Sequence, residues 1–418
     1  MQIELIKGRQ VFDSRGNPTV EAEIKAGKII ERAIVASGAS TGSNEAIELR
    51  DKEKSFKGKG VLKAVENINS IIAPALKGME VESQKEIDSK MIELDGTENK
   101  GKLGANAIVS VSMAVARAGA KTKEIPLYQY LGELAGIKEF CLPVPQMNVL
   151  NGGKHAGLEH DIQERMIYPS KAKNFFEAMQ ISTEIYHTLK SLMKKKFGAL
   201  AGLIGDEGGF VPSIKDEEQK MELILNAIEE AGYEKEVELA IDCASTEFFK
   251  DGKYFIGEKK YNAGELTDFY SELVKKFKIY SIEDGMAEED WQGWQELTAK
   301  LGNKIQIVGD DLLVTNIKFI EKAIQEKSCN ALLLKVNQIG SVSESIDSAL
   351  LSFKNNWNVV VSHRSGETED SFISDLVVGL GTGQSKFGAP ARSDRNSKYN
   401  QLLRIEEELA EKAVYGKN

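Results

Sequence analysis

Five short apolar runs in the second half of the chain each lead to an acidic or basic residue. The clearest is residues 330–337, a nearly continuous apolar stretch with Lys335 near its C-terminal end. The other four runs end on Asp242, Glu283, Asp310 and His363. Successive members of the five are 25 to 41 residues apart. Apolar runs of this length, bounded by polar residues, predict strands that are buried on both faces.

The segments between the later strands predict helices. Asn316 can cap a helix that carries Ile317 and Ile320 on its apolar face. Ser341 and Glu344 form a capping box ahead of another apolar helix face. Repeated strand–helix units indicate parallel strands, and enough of them close into a barrel with its active site at the C-terminal strand ends. We therefore expect the five charged strand ends to face one barrel mouth.

The first third of the chain has a different pattern. Residues 2–35 alternate as strands with turns at 16–18 and 27, and helical patterns follow at 61–72 and about 105–120. The glycine-rich segment 37–42 fits either a plain surface turn or a mobile lid. The predicted fold class is α/β, a barrel with a smaller N-terminal α+β domain. We expect the α+β domain to occupy residues 1–134 and the barrel to occupy 135–418.

Composition narrows the function classes. The 418 residues carry a formal net charge of -10, which disfavours a nucleic-acid or anionic-membrane partner. The three cysteines are far apart and lack metal-site spacing, so they predict buried thiols in a reducing compartment. The first residues lack an apolar signal core, and no apolar run reaches the length of a membrane span. These features predict a cytoplasmic protein.

Three carboxylates at one mouth require a compensating charge. Two carboxylates about 4 Å apart repel by roughly 4 kcal/mol, and a hard divalent cation removes that penalty. Oxygen ligands from Asp242, Glu283 and Asp310 suit magnesium, although any one of these acids alone also fits a structural role. Lys335 beside magnesium can serve as a neutral base, and Glu207 as the acid for a departing hydroxyl. Arg364, followed by Ser365, can hold an anionic group.

These residues lie within long motifs that together resemble the enolase family over essentially the whole chain. The motifs are residues 9–19, 37–42, 151–157, 205–210, 281–284, 309–312, 332–340, 362–370 and 388–392. The resemblance implies the reversible, magnesium-dependent dehydration of 2-phospho-D-glycerate to phosphoenolpyruvate in glycolysis and gluconeogenesis. It also implies a homodimer, in some members assembled further into an octamer.

The resemblance implies roles residue by residue. Lys335 matches the base that removes the C2 proton, and Glu207 matches the acid, supported by Glu164, while His363 lines the site. Asp242, Glu283 and Asp310 match the ligands of a first magnesium, and Ser40 matches a ligand of a second that arrives with substrate. The matching substrate contacts are His155, Gln163, Arg364, Ser365 and Lys386.

The sequence departs from the family pattern beside the Gln163–Glu164 pair. Arg165 stands where family members usually have Phe, and residues 158–160 are also unusual. Strict strand alternation would place Arg165 on the side of Gln163, where an unpaired charge would be costly. We therefore expect Arg165→Phe to stabilise the protein if the arginine has no carboxylate partner.

Two alternatives remain at this point. One is a sugar-acid dehydratase of the same superfamily, which the Gly-Asp-Glu-Gly-Gly segment at 205–209 disfavours. The other is a binding or structural protein that keeps the fold without the chemistry. The intact set of candidate catalytic residues argues against it as a sole role.

Overall fold

A computed structural model describes residues 1–38 and 42–416. The chain begins with an antiparallel sheet of β1 (Leu5–Phe12), β2 (Pro18–Ala26) and β3 (Ile29–Ile34). The Asp13 carboxylate closes the first turn by accepting from the Arg15 and Asn17 amides at 2.9 and 2.8 Å. Both turns predicted in this region are confirmed.

Five helices follow this sheet along the chain. They are α1 (Leu62–Asn67), α2 (Ala73–Leu76), α3 (Gln84–Asp95), α4 (Ala105–Thr122) and α5 (Leu127–Ala135). The predicted helix over 61–72 is interrupted by a π-helical turn, Ile68–Ile72, just before Pro74, which has no amide hydrogen to donate. In α4, small residues allow close packing: a Cβ on Gly119 would lie 2.5 Å from the Tyr130 hydroxyl. The tight burial predicted for this helix is confirmed.

The other strands build a barrel and a small separate sheet. They are β4 (Val144–Pro145), β5 (Met147–Asn151), β6 (Glu164–Tyr168), β7 (Glu238–Asp242), β8 (Phe249–Lys250), β9 (Lys253–Ile256), β10 (Lys259–Tyr261), β11 (Ile279–Glu283), β12 (Gln306–Gly309), β13 (Ala331–Leu334), β14 (Asn358–Ser362) and β15 (Gln384–Lys386). Strands β8 to β10 form the small antiparallel sheet, and the barrel order is β4-β15-β14-β13-β12-β11-β7-β6-β5. Only Gln146 separates the two end strands along the chain, so the sheet closes on itself.

One barrel strand runs against the others. Strand β6 pairs antiparallel with both β5 and β7, whereas the remaining barrel pairings are parallel. The expectation of parallel strands throughout is therefore wrong for β6. The physical reason is its connection: residues 152–163 contain only the short 3-10 turn Gly153–Ala156, and a parallel return would need a longer crossover.

Helices follow most of the barrel strands. They are α6 (Phe175–Phe197), α7 (Glu217–Ala231), α8 (Ala263–Phe277), α9 (Trp291–Leu301), α10 (Ile317–Glu326), α11 (Val336–Ile339), α12 (Val342–Lys354), α13 (Phe372–Gly379) and α14 (Ser393–Leu409). Asn316 caps α10 and Ser341 caps α12, as predicted. Within the described residues, none of the helices combines the length and the apolar character that crossing a membrane requires.

Candidate functional site

The charged strand ends meet around one cavity at the barrel mouth. It is lined by Gln163, Glu164, Glu207, Asp242, Asp310, Lys335, Ser362, His363, Arg364, Ser365 and Lys386. Asp242 ends β7, Lys386 ends β15, and Asp310, Lys335 and His363 each follow directly after a strand. Because β6 runs in the opposite direction, Glu164 at its start reaches the same mouth. The expected convergence on one mouth is thus observed in the structure.

Lys386 occupies the centre of a carboxylate group. Its ammonium donates to Asp242 Oδ2 and Glu283 Oε1 at 2.8 Å each and lies 3.3 Å from Glu164 Oε2. Burial lowers the pKa of Lys386, but the surrounding carboxylates, led by Asp242, outweigh burial and raise its pKa well above the ordinary value. Lys386 is therefore a permanent cation that links three strand ends.

Lys335 pairs with Asp310 on the neighbouring strand end. Gln338 donates to the other Asp310 oxygen at 2.9 Å, and Thr315 Oγ1 accepts from the Lys335 amide at 2.9 Å. Burial lowers the pKa of Lys335, but Asp310 more than offsets this, so the net pKa is raised. The neutral form of Lys335 expected from the sequence applies to a site with a bound cation and stays a prediction.

An acid pair lies with a histidine on the opposite side of the cavity. Asn148 donates to Glu207 Oε2 at 3.0 Å, and His363 Nε2 lies 3.7 Å from the same oxygen. Burial raises the pKa of Glu164 well above its usual range, and the nearby Glu207 carboxylate raises it further. Burial lowers the pKa of His363 well below its usual range. These shifts favour the protonated form of Glu164 and the uncharged imidazole of His363.

The neutral tautomer of His363 follows from its other neighbour. The Arg395 guanidinium, which is only a donor, contacts His363 Nδ1. Nδ1 must accept, so the ring proton resides on Nε2 and faces Glu207. Arg395 also donates to the carbonyls of Arg364 and Ser365 at 2.6 Å each, which fixes the backbone of the segment after β14.

Arg364 is held in a fixed plane by a residue from the N-terminal part of the chain. Its two terminal nitrogens donate to the Glu45 carboxylate at 2.9 and 3.0 Å, and Nη1 also reaches Asn337 Oδ1 at 3.2 Å. Ser37 and Gly366 exchange two backbone hydrogen bonds of 2.7 and 2.8 Å nearby. Segment 37–42 is thus anchored at its start to the barrel mouth.

Two of the predicted site residues lie wholly or partly outside the described residues. Ser40 lies outside the described residues. His155 belongs to the turn Gly153–Ala156, but its side chain is also outside what the structure describes. Gln163, in contrast, is buried and lines the cavity.

The residues present fit a hard divalent cation. Asp242 and Glu283 already share one cation, Lys386. The pKa of Glu283 is raised by burial first, then by Asp242, and to a smaller extent by Asp310, so the three carboxylates lie close together. Glu283 Oε2 is buried and has no hydrogen-bond partner among residues 1–38 and 42–416. All donors in this set are carboxylate oxygens, which magnesium prefers.

A second carboxylate group shares Asp310. Oxygens of Asp284, Asp310 and Asp311 lie within 4.8 Å of one another. Both Asp284 oxygens, however, accept backbone amides, from Asp310 at 2.9 Å and from Asp311 at 3.0 Å. Asp284 therefore serves to shape the turn after β12, and its oxygens are less open to a cation than Glu283 Oε2.

Arg165 is paired, contrary to the concern raised by the sequence. Its Nε donates to Glu217 Oε1 at 2.9 Å, and its Nη2 contacts Glu217 and reaches Asp161 Oδ1 at 3.0 Å. Burial opposes the charge, but Glu217 and Asp161 raise the pKa of Arg165 above its ordinary value. The expected placement beside Gln163 is also wrong: Gln163 precedes β6, where alternation does not apply, and lines the cavity, whereas Arg165 does not.

Several functional neighbours were missed from the sequence. Glu45, Asn148, Gln338 and Arg395 each contact a cavity residue through a side-chain hydrogen bond. Gln338 lies three residues after Lys335 on the short helix α11, which is a spacing that the sequence offered. The other three come from distant segments, so no local pattern marked them.

Fold and site together define an α/β-barrel protein with a buried charged cavity at the carboxyl ends of its strands. Family models match residues 139–418 as "Enolase, C-terminal TIM barrel domain" and residues 3–131 as "Enolase, N-terminal domain". The chain is 56% identical to the enolase of Thermococcus gammatolerans, covering 99% of this chain and 96% of the relative. It is 54% identical to the enolase of Methanocaldococcus jannaschii, covering 100% and 98%.

The chain belongs to the enolase family. It is accordingly a lyase, a phosphopyruvate hydratase of glycolysis, and the family requires magnesium. Full-length identity at this level also excludes the sugar-acid dehydratase alternative.

Proposed function

We propose that the barrel cavity dehydrates 2-phosphoglycerate with Lys335 as base and Glu207 as acid. One observation carries this assignment: Lys335 and Glu164 lie on opposite sides of the barrel. Lys335 follows β13 and Glu164 begins β6. When β4 and β5 are counted as one position in the closed barrel, β13 and β6 lie four positions apart in either direction. Glu207 lies with Glu164 on that far side. A substrate spanning the cavity would therefore present its C2 hydrogen to one group and its hydroxyl to the other.

Asp242, Glu283 and Asp310 are the proposed ligands of the first magnesium. Bound there, magnesium supplies positive charge that stabilises the charge developing on the substrate carboxylate. Ser40 is the proposed ligand of a second magnesium that arrives with substrate, so two ions are expected for each site. This ligand set is favoured over Asp284 and Asp311 because Glu283 Oε2 is buried and accepts no hydrogen bond from the described residues, so it can bind a cation.

Lys335 removes the C2 proton after its contact with Asp310 is relieved. That contact raises the pKa of Lys335 and favours the ammonium form, which cannot accept a proton. The base is therefore expected to work only when Asp310 has another cationic partner. Thr315 and Gln338 keep the Lys335 backbone and the Asp310 carboxylate in place meanwhile.

Glu207 gives its proton to the leaving hydroxyl, supported by Glu164. Burial and the nearby Glu207 raise the pKa of Glu164, which favours a proton within this pair of carboxyl groups. The Nε2 hydrogen of His363 faces the Glu207 carboxylate and can stabilise the carboxylate form after transfer. Glu164 and His363 thus assist proton transfer from Glu207 without adding positive charge.

Five residues are the proposed substrate contacts: His155, Gln163, Arg364, Ser365 and Lys386. Arg364 suits a phosphate group because Glu45 and Asn337 fix the plane of its guanidinium before substrate arrives. The raised pKa of Lys386 keeps it cationic for a second anionic group of the substrate.

The assignment of base and acid is tested by deuterium wash-in at C2 of 2-phosphoglycerate, followed by NMR beside product absorbance. Lys335→Ala should lose both exchange and product, since removal of a general base commonly costs about 10²–10⁴ in rate. Glu207→Gln should keep exchange while forming little product. Equal loss of exchange in the two variants would refute separate roles.

Finer properties of the family extend to this chain as proposals. A homodimer, or an octamer of four dimers, would give a single mass in light scattering. A cytoplasmic location is supported by the three buried cysteines, Cys141, Cys243 and Cys329, which form no disulfides. A domain boundary between residues 134 and 135 is supported by the gap between the two family matches.

A further inference from the structure

A buried ion network lies behind the strand that carries Glu164. Its members are Asp161, Arg165, Glu217 and Lys220. The Arg165 side chain is fully buried, and that of Lys220 is 1% exposed. Two cations face two carboxylates, so the network is neutral as a whole. Charges removed from water are stable only in well-matched geometry, which makes such a network rigid.

On one side, the network contacts helix α7. Glu217 is the first residue of this helix and takes two contacts from the Arg165 guanidinium. Lys220, one turn further on, donates to the two Asp161 oxygens at 2.6 and 2.7 Å. The segment entering β6 is thereby tied to α7 at two points.

On the other side, the network supports the turn that carries His155. Arg165 Nη1 donates to the Ile162 carbonyl at 2.9 Å, and Asp161 Oδ2 accepts from the Gly153 amide at 3.4 Å. A Cβ on Gly152 would lie only 2.2 Å from Asp161 Oδ2 and 2.5 Å from Arg165 Nη1. The backbone of the turn thus rests directly on the charged groups.

The same backbone holds Gln163. The Gly152 amide donates to the Gln163 carbonyl at 2.8 Å, and the Gln163 amide donates to the Asp242 carbonyl at 3.1 Å. None of the four network residues is among those that line the cavity. Any effect of the network on the reaction must therefore pass through residues that the network positions.

We propose that Arg165 is a positioning residue for the acid side of the cavity. Through Asp161 and Ile162 it sets where Gln163, Glu164 and the turn Gly153–Ala156 stand relative to substrate. Lys335 follows the strand four positions away in the barrel and makes no contact with the network residues, so we expect proton removal to be less affected than the acid step. This inference rests on the proposed division between Lys335 and Glu207.

The first test is Arg165→Lys, which keeps the charge but loses the fork that bonds three partners. A displacement of about 1 Å can cost on the order of 10²-fold in rate. Phosphoenolpyruvate formation should fall by roughly 10- to 100-fold at saturating substrate. C2 exchange should change far less, so the ratio of exchange to product should rise about tenfold or more.

A matched pair of lysine variants separates positioning from stability. Lys220→Met and Lys100→Met each remove a nearly buried lysine that pairs with a carboxylate, since Lys100 is 5% exposed and bonds Glu344 at 2.9 Å. Both variants should melt earlier than the parent protein. Only Lys220→Met should raise the ratio of exchange to product, and this comparison holds even if Arg165→Lys fails to fold.

A second readout does not depend on activity. In metal-free protein, amide hydrogen exchange over residues 152–158 should accelerate in Arg165→Lys or Lys220→Met and stay unchanged in Lys100→Met. Glu207→Gln serves as the reference for the proposed reaction. If it keeps C2 exchange while the network variants retain parental ratios and parental amide protection, the positioning role is overturned. If it loses C2 exchange, the division of labour fails, and the amide measurement alone decides the positioning of the turn.

Discussion

Replacing Arg165 by the phenylalanine usual in the family should destabilise this protein. The substitution leaves the Glu217 carboxylate at the N-terminus of α7 without its main partner, in a site where its side chain is 7% exposed. Lys220 keeps Asp161 paired but lies 3.8 Å from Glu217. Removing one partner of a buried pair costs about 3–5 kcal/mol. Burial of the phenyl ring returns roughly 2 kcal/mol, which leaves a net loss of about 1–3 kcal/mol in the free energy of unfolding.

The assay is urea unfolding followed by circular dichroism, with the slope of the transition checked for constancy. The double variant Arg165→Phe/Glu217→Gln should lose less than the sum of its single variants, because the orphaned charge is removed. A parental or raised unfolding free energy in Arg165→Phe would refute the view that this network stabilises the native state.

Two further predictions concern pH and the glycine-rich segment 37–42. Burial raises the pKa of Asp375 from 3.8 to about 7, so the contribution of Asp375 to native stability should fall as pH rises from about 4 to 7. Asp375→Asn should therefore raise the free energy of unfolding at pH 8 by up to about 4 kcal/mol, with a higher melting temperature, and should change both little near pH 4. A larger gain at low pH than at pH 8 would contradict this sign. Substrate with magnesium should slow amide exchange over residues 37–42. The segment is held at its start by Ser37, which bonds Gly366, and is followed by Ser43, whose amide donates to Glu288 at 3.1 Å. Equal exchange with and without ligands would argue against a lid.

Strand ends were the most predictable part of the fold. Apolar runs that end on Asp242, Glu283, Asp310, Lys335 and His363 correspond to barrel strands with those residues at the predicted ends. The rule works because buried parallel strands must be apolar throughout, and their charged ends meet at one mouth. Helix caps at Asn316 and Ser341 were equally local and equally predictable.

Pairings between distant segments were not predictable. The antiparallel direction of β6 depends on the shape of residues 152–163, whose apolar pattern does not specify a direction. The partners of Arg165 lie 4 and 52 residues away, and the more distant, Glu217, belongs to a helix start whose position the sequence pattern did not give. Glu45 reaches Arg364 across 319 residues. Charge pairing over such separations is set by tertiary packing, which a periodicity does not encode.

The central claim, that the carboxylates at the barrel mouth hold magnesium for dehydration, is tested most directly by turnover after removal of metal. Phosphoenolpyruvate formation from 2-phosphoglycerate is followed by absorbance in protein treated with chelator, before and after magnesium is returned. We predict no turnover without metal, full recovery with magnesium, and a higher melting temperature in the reloaded protein because the ion binds only the folded site. Undiminished turnover in thoroughly demetallated protein would contradict this account.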